Sequence, residues 1–339
     1  MILYIGNKLS SHGLTPTAME VLVPKLKYFF NITSASNKKN QFFRFMDMNF
    51  IFFKNINSLS LIIVDVFSSR AFYFAVFFSF LSRLFMIPYV PIIRGGNLIN
   101  RIKSSPSLAK FLFLHSAVNV SPSMFFYKFL SKQSYDIIYI PNFVDLDNYP
   151  FKKKILLSPK LLWVRSLHKI YNPEMAIHVL HELCKINKSS MLTMIGPDKD
   201  GSARNCKNLA IELGVEKQVQ FLGKLTKKEW VSISHDSNIF INTTHIDNMP
   251  ISIIEAMALG FPIVSTNVGG IPFLLKNGNN AILVHDNDLN GMVEGIKLII
   301  NNPKIANRLS KSAYRAAQQY SISAVMPKWI NLIKQYSKQ

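Results

Sequence analysis

Cysteine and acidic residues are the scarce components of this chain. It has two cysteines in 339 residues, Cys184 and Cys206. Two thiols exclude a multi-bridge disulfide scaffold and a four-thiolate zinc site. No His/Cys/Asp cluster has metal-ligand spacing, so no metal is expected. Charged residues make up only 17% of the chain and hydrophobic ones 49%. That balance excludes intrinsic disorder, which needs low hydrophobicity and high charge. Internal repeats and low-complexity tracts are absent from the sequence. So is any uninterrupted apolar run of the roughly 20 residues that a spanning helix needs. Residues 72–93 come nearest, but Arg83 interrupts them and Pro88 and Pro91 break the second half. They read as a buried helix followed by a strand, with an interfacial helix as the alternative. Met1 to Ile5 meets Gly6 at once, which reads as a first strand rather than the core of a secretory signal.

Acids are outnumbered. The chain carries 39 Lys+Arg against 19 Asp+Glu, a formal net charge of +20. An anionic partner is implied: nucleic acid, a phosphorylated small molecule or an acidic membrane surface. Residues 1–150 hold 15 basic and 6 acidic residues, and residues 151–339 hold 24 and 13. The excess is spread along the chain with no basic tail, which argues against a nucleic-acid-binding arm.

Short apolar runs alternate with longer helical ones. Strands are expected at 2–5, 60–66, 90–93, 137–140, 161–164, 192–195, 219–222, 239–242 and 263–265. Helices are expected at 17–29, 71–85, 173–186 and 203–213. Continuous apolar strands alternating with helices mean parallel sheets covered on both faces. There are too many units for one sheet. The expected fold class is therefore α/β, with two tandem Rossmann-like doubly wound domains facing a cleft. The domains are expected at 1–150 and 151–320. Pro150, Lys152-Lys153-Lys154 and Pro159 mark the connection. Residues 321–339 are expected to form a helix that crosses back to the first domain.

The densest chemistry lies in residues 242–270, NTTHIDNMPISIIEAMALGFPIVSTNVGG. A strand ends at Asn242, and a helix is expected to start at Pro250. Asp247 stands just before that start, and Glu255 about one and a half turns into the helix. A helix start offers N–H groups and partial positive charge to a phosphate. Carboxylates beside it accept hydrogen bonds from sugar hydroxyls. Gly269-Gly270 lets the backbone approach a ligand. Taken alone, the two acids also fit an ordinary near-cap and an exposed helix residue.

The stretch resembles the donor-binding signature of the family 4 retaining glycosyltransferases, which have the GT-B fold. That signature has two glutamates separated by seven residues, then EAMA-x-G-x-P-V-V-x-T-x-x-GG. Here Asp247 and Glu255 hold the paired positions. Ala256-Met257-Ala258-Leu259-Gly260-Phe261-Pro262 and Gly269-Gly270-Ile271-Pro272 follow. IPNFVD at 140–145 is similar to the family's IPNGVD. LLWVRSLHK at 161–169 carries Arg165 and Lys169 where the family neutralises the donor diphosphate. The resemblance implies that Asp247 contacts the transferred sugar and Glu255 the nucleotide ribose. It further implies that backbone amides of Asn248, Met249, Pro250, Ile251 and Ser252 face sugar and phosphate oxygens. Proline has no N–H, so Pro250 contributes only its place in that run. There are departures. Asp247 is one methylene shorter than Glu, Asn248-Met249 replaces a glycine-containing pair, and Phe273 stands where a Glu is common. Arg165 and Lys169 are also closer together than usual.

The first domain should hold the acceptor. Its loop GNKLSSHGLTPT offers Gly6, His12 and Gly13, without the spacing of a dinucleotide fingerprint. Arg94-Gly95-Gly96 follows a strand end, where open α/β sheets bind ligands. Arg94 cannot act as a base but would stabilise phosphate charge. His115 reads as structural.

The implied activity is transfer of a sugar, with retention, from a nucleotide-sugar donor, a UDP-sugar, without metal or other cofactor. The implied acceptor is a saccharide or lipid-linked saccharide in bacterial surface polysaccharide synthesis. The site would be cytoplasmic, peripheral on the inner face of an anionic membrane, with no nucleic-acid partner. The alternatives are a nucleotide-sugar epimerase or hydrolase of the same fold, and a non-enzymatic basic binder of nucleic acid or membrane.

Overall fold

A computed structural model describes residues 1–8, 10–12, 16–94, 98–154 and 159–338. The chain forms two compact units. One comprises Met1–Asn142 with Val325–Gln339, the other Phe143–Ala324.

The first unit is built on six parallel strands: β1 (Ile2–Ile5), β2 (Ile32–Ala35), β3 (Leu61–Val66), β4 (Tyr89–Ile93), β5 (Asn119–Ser121) and β6 (Ile137–Tyr139). Their order is β2-β1-β3-β4-β5-β6. The doubly wound order follows from the run lengths. The six residues LIIVDV of β3 are all buried and pair with β1 and β4. Helices cover the faces, as parallel sheets require. The helix Ala71–Leu84 sends Phe72, Ala75 and Phe78 into a core shared with Leu3, Ile62 and Val64.

The second unit repeats the plan with β7 (Lys160–Val164), β8 (Met191–Ile195), β9 (Val219–Gly223), β10 (Ile239–Asn242), β11 (Ile263–Thr266) and β12 (Ile282–Val284). All pairings are parallel, in the order β12-β11-β10-β7-β8-β9. Alternation along the strands separates two cores. Leu161, Trp163, Ile239 and Ile241 join one apolar cluster, and Leu162 and Phe240 join the other. Successive side chains point to opposite faces, so the clusters lie on either side of the sheet.

Three strands have no counterpart among the expected ones: β2, β5 and β12. Each has three or four residues, and β2 reads ITSA, half polar. Such runs are strands only because a neighbour pairs with them. The first unit ends at Asn142, ahead of the boundary expected at 150. Tyr149 explains the difference, because it is buried in the second unit's core with Trp230 and Met257. The expected Pro-containing connection is therefore part of the second unit. The helix Ile322–Tyr336 is present, and from Val325 onward it belongs to the first unit. No helix among the described residues is long and apolar enough to cross a membrane.

Candidate active site

In the second unit, the carboxyl ends of β7, β8, β10 and β11 bring the predicted donor-site residues together. Arg165 follows β7 directly, and its N–H bonds the Ile195 carbonyl at the end of β8 (3.0 Å). Asp247 lies in the loop after β10. The loop after β11 closes on it, with the Gly270 N–H donating to the Asp247 carbonyl (2.8 Å). Gly269 has φ of 54°, and a Cβ there would run into that same carbonyl. Only glycine lets the two loops meet this closely. Beneath them, Trp163 Nε1 donates to Thr243 Oγ1 (3.0 Å), and Thr266 Oγ1 donates to the Thr244 carbonyl (2.6 Å). These bonds fix the strand ends as a rigid floor.

Two charged pairs stand on that floor. The Arg165 guanidinium is paired with the Asp247 carboxylate. It also lies over the Tyr171 ring, 4.4 Å from the centroid. Burial works against the Arg165 charge, but Asp247 and Tyr171 more than offset it, so the group holds its proton more firmly than usual. Burial pushes the Asp247 carboxyl upward, opposed by Arg165 and by the N–H groups of Asn248 and Met249. The Asn248 N–H donates to Asp247 Oδ1 at 2.8 Å. This amide, expected to face a ligand, thus holds the carboxylate in place.

The second pair forms around Glu255, which is 1% exposed. Its Oε1 accepts from the Tyr149 hydroxyl (2.7 Å) and is paired with the mostly exposed Lys227 ammonium. Its Oε2 is buried and has no partner among the described residues, as are Arg165 Nε and Asn248 Oδ1. Leaving a buried polar atom unpaired costs roughly 1–3 kcal/mol. Three such atoms belong to residues on the loops and helix at these strand ends, where a hydrogen-bonding ligand would satisfy them; Asn119 Oδ1, Gln218 Oε1, Trp230 Nε1 and Ser337 Oγ share the same state elsewhere.

The helix after β10 spans Ile251–Ala258, so Pro250 is its cap rather than its first residue, with no side chain capping the helix start. Met249, Pro250 and Ser252 are buried and Ile251 half-buried. Lys169 is exposed, and its backbone N–H donates to Asp200 Oδ2 (3.0 Å). No bond of its ammonium joins it to Arg165 or Asp247 among the described residues. Among the described residues no group of three or more His, Cys, Asp or Glu is arranged to hold a metal.

The first unit treats its predicted site residues differently. Arg94 is enclosed rather than presented. Its Nε donates to Asp65 (2.9 Å), one terminal nitrogen to Asn142 (2.8 Å) and the other to the Tyr4 hydroxyl (3.1 Å). Tyr4 in turn donates to Asp65 (2.9 Å). This closed network ties the ends of β1, β3 and β4 and engages every guanidinium nitrogen of Arg94, the residue expected to stabilise phosphate charge. Gly6 is small for a packing reason, since a Cβ there would sit 2.7 Å from Asp65 Oδ2. His12 Nε2 is 2.7 Å from the Asn37 carbonyl, which ties the two strand-end loops together. Gly13, Gly95 and Gly96 lie outside the described residues. His115, the exposed C-cap of the helix Pro106–Leu114, bonds the carbonyl of Phe111 (3.0 Å).

Sequence reasoning missed Tyr149, Tyr171 and Lys227. Tyr149 stood in the presumed connection. Lys227 lies 28 residues before the carboxylate it meets. No spacing rule links them.

Comparison with known proteins follows the same division. The family described as glycosyl transferases, group 1, matches residues 147–316. An uncharacterized glycosyltransferase of Haemophilus influenzae is 31% identical over 131 residues, which are 38% of this chain and 36% of that protein. The chain thus spans little more than a third of that relative. Among solved structures, a sucrose-phosphate synthase from Thermosynechococcus elongatus has a TM-score of 0.79 and 14% identity, covering 98% of each chain. Anabaena HepE, solved in complex with UDP, also has a TM-score of 0.79 and 14% identity, covering 98% of this chain and 99% of its own. These two share the fold, GT-B, with its two Rossmann-like units. With half of its length matched by the family, over the residues that build this site, the chain belongs to the group 1 glycosyltransferases.

Proposed function

We propose that this chain transfers a sugar from a nucleotide-sugar donor bound in the second unit, with retention at the anomeric carbon, as in family 4. The observation that carries this reading is Glu255. It is a buried carboxylate in the second turn of the helix after β10, with one oxygen engaged and the other buried without a partner among the described residues. A ribose diol supplies the hydroxyl donors that such an oxygen lacks. Asp247 has the matching place for the sugar hydroxyls. Arg165 supplies fixed positive charge where the diphosphate departs, and the uncapped N–H groups of the Ile251–Ala258 helix add to it. The sugar–phosphate bond breaks, a bond to the acceptor oxygen forms on the same face, the acceptor hydroxyl's proton passes to the departing phosphate oxygen, and the nucleoside diphosphate leaves. Cationic side chains do the work of a metal in this scheme, so chelators should leave turnover unchanged.

The donor is a UDP-sugar on this reading, a choice supported by the fold shared with UDP-bound Anabaena HepE. The acceptor is a saccharide or lipid-linked saccharide, in bacterial surface polysaccharide synthesis on the inner face of the cytoplasmic membrane. A screen of nucleotide sugars for release of nucleoside diphosphate, with lipid extract as acceptor, tests it. Arg165→Ala should lower kcat at least about a hundredfold, the scale of losing one fixed charge on a developing anion. Wild-type turnover in a folded Arg165→Ala protein would remove this site from the reaction.

A further inference from the structure

The fold redistributes charge that the linear sequence spreads evenly. The first unit, Met1–Asn142 with Val325–Gln339, contains 18 Lys+Arg and 4 Asp+Glu, so it holds 18 − 4 = +14 of the total +20. Three of its four acids are engaged. Glu20 caps a helix, Asp47 bonds the Ser36 hydroxyl, and Asp65 is buried against Arg94.

The same unit exposes a band of aromatic side chains. The helix Gln41–Asn55 packs Met48 and Phe52 into the core. On its other side Phe42, Phe43, Met46, Phe50 and Phe53 are 49 to 66% exposed. At 3.6 residues per turn these five fall within about a third of the helix circumference. The helix is therefore apolar on two faces, which a helix facing water does not need to be. The band continues onto the next helix. Exposed Phe53 meets exposed Phe85, just past the end of the helix Ala71–Leu84, at 6.2 Å between centroids, while Phe45 packs with Phe74 and Phe77 toward the core. Exposed lysines border it: Lys38 and Lys39 before the helix, and Lys54 at its end with its ammonium 5.9 Å from the Phe50 ring.

We propose that this aromatic face docks on an anionic lipid bilayer, with Phe42, Phe43, Phe50 and Phe53 entering the interface and Lys38, Lys39 and Lys54 meeting lipid phosphates. An interfacial helix combines these two features, apolar contact and a basic border. Charge complementarity selects the bilayer over a second copy of the chain, because two units of +14 repel each other. The proposal deepens the membrane-side reading above but does not rest on the transfer reaction. Vesicle binding is read without any sugar donor, so failure here and failure of the donor-site assignment are distinguishable.

The test is sedimentation of the full chain with vesicles of phosphatidylcholine alone or mixed with phosphatidylglycerol. Wild type should bind the mixed vesicles and bind phosphatidylcholine far more weakly. Phe42→Ser/Phe43→Ser/Phe50→Ser should weaken binding roughly tenfold or more, since each ring gives up the apolar contact it would bury in the interface. Lys38→Gln/Lys39→Gln/Lys54→Gln should weaken it about fivefold per charge, and salt should mimic that loss. All these side chains are exposed, so thermal unfolding of the variants should match wild type. Equal binding to both vesicle types, or full binding by the serine variant, would overturn the proposal. So would a wild-type dimer that the serine substitutions disperse without any vesicle binding, or capture of single-stranded DNA in place of vesicles.

Discussion

Replacing Glu255 by Gln separates the nucleotide-binding role of this side chain from its structural one. In the folded protein Oε1 serves Tyr149 and Lys227, while Oε2 is buried without a partner among the described residues. A glutamine keeps the volume and can still accept from the Tyr149 hydroxyl. It gives up the charge. The pairing with Lys227 is solvated on the lysine side, so its loss should cost at most about 1 kcal/mol of stability. The melting temperature should therefore fall by no more than roughly 2–4 °C. Nucleotide affinity should respond much more. A hydroxyl bonded to a charged carboxylate contributes about 1.5–3 kcal/mol, and binding also relieves the unpaired oxygen. A loss of about 2–3 kcal/mol corresponds to roughly 30- to 160-fold in Kd. Isothermal titration of UDP into wild type and Glu255→Gln reads this directly. Tyr149→Phe is the control, because it removes a bond to Oε1 and leaves Oε2 as it was. If Glu255→Gln binds UDP within threefold of wild type and remains folded, Glu255 does not hold the nucleotide and the donor-site argument fails.

Two further outcomes follow from buried charges elsewhere. Arg94→Met leaves Asp65 buried without its cation, which should destabilise the chain by about 3–5 kcal/mol; urea unfolding measures it, and unchanged stability would restore Arg94 as a free site residue. Lys154 is half-buried, donates to the Ser234 carbonyl and lies over the Phe261 ring. Burial, and then Lys152, lower its pKa to about 7 against the opposing pull of Asp236. Between pH 7 and about 10 the unfolded chain holds this proton and the folded chain does not, so stability rises with pH across that window. The gain should be on the order of 2 kcal/mol between pH 6.5 and 9.5, after allowance for the water that still reaches the group. Lys154→Met should abolish that slope in denaturant titrations, and an identical slope in both proteins would show the lysine to be solvated.

Nine of the twelve strands were legible because each lies in an apolar run of the sequence. The rest were not: β2 reads ITSA and β5 NVS, whose polar residues interrupt any such run, and β12 is only ILV, so pairing with a neighbouring strand decides them. The donor-side residues were legible for a related reason. Asp247, Glu255, Gly269 and Gly270 lie within one strand-loop-helix-strand segment, where local geometry fixes their spacing. Arg165 was legible as the residue after a strand.

The linear sequence determined the fold class, which depends on periodicities a few residues long, and it carries the motif whose resemblance singles out Asp247 and Glu255. Tertiary structure alone decided which cations meet those carboxylates. Lys227 reaches Glu255 across 28 residues, while Lys169, the cation expected from the sequence, is exposed with its backbone tied to Asp200. It also decided that Arg94 is enclosed by Tyr4, Asp65 and Asn142, from three other parts of the first unit. The charge distribution changed in the same way. By halves of the chain the excess looked even, but return of the C-terminal helix and the early boundary at Asn142 place +14 on one unit. Electrostatic and hydrogen-bond partners are set by distance in space, and strand order in a parallel sheet makes that distance independent of separation along the chain.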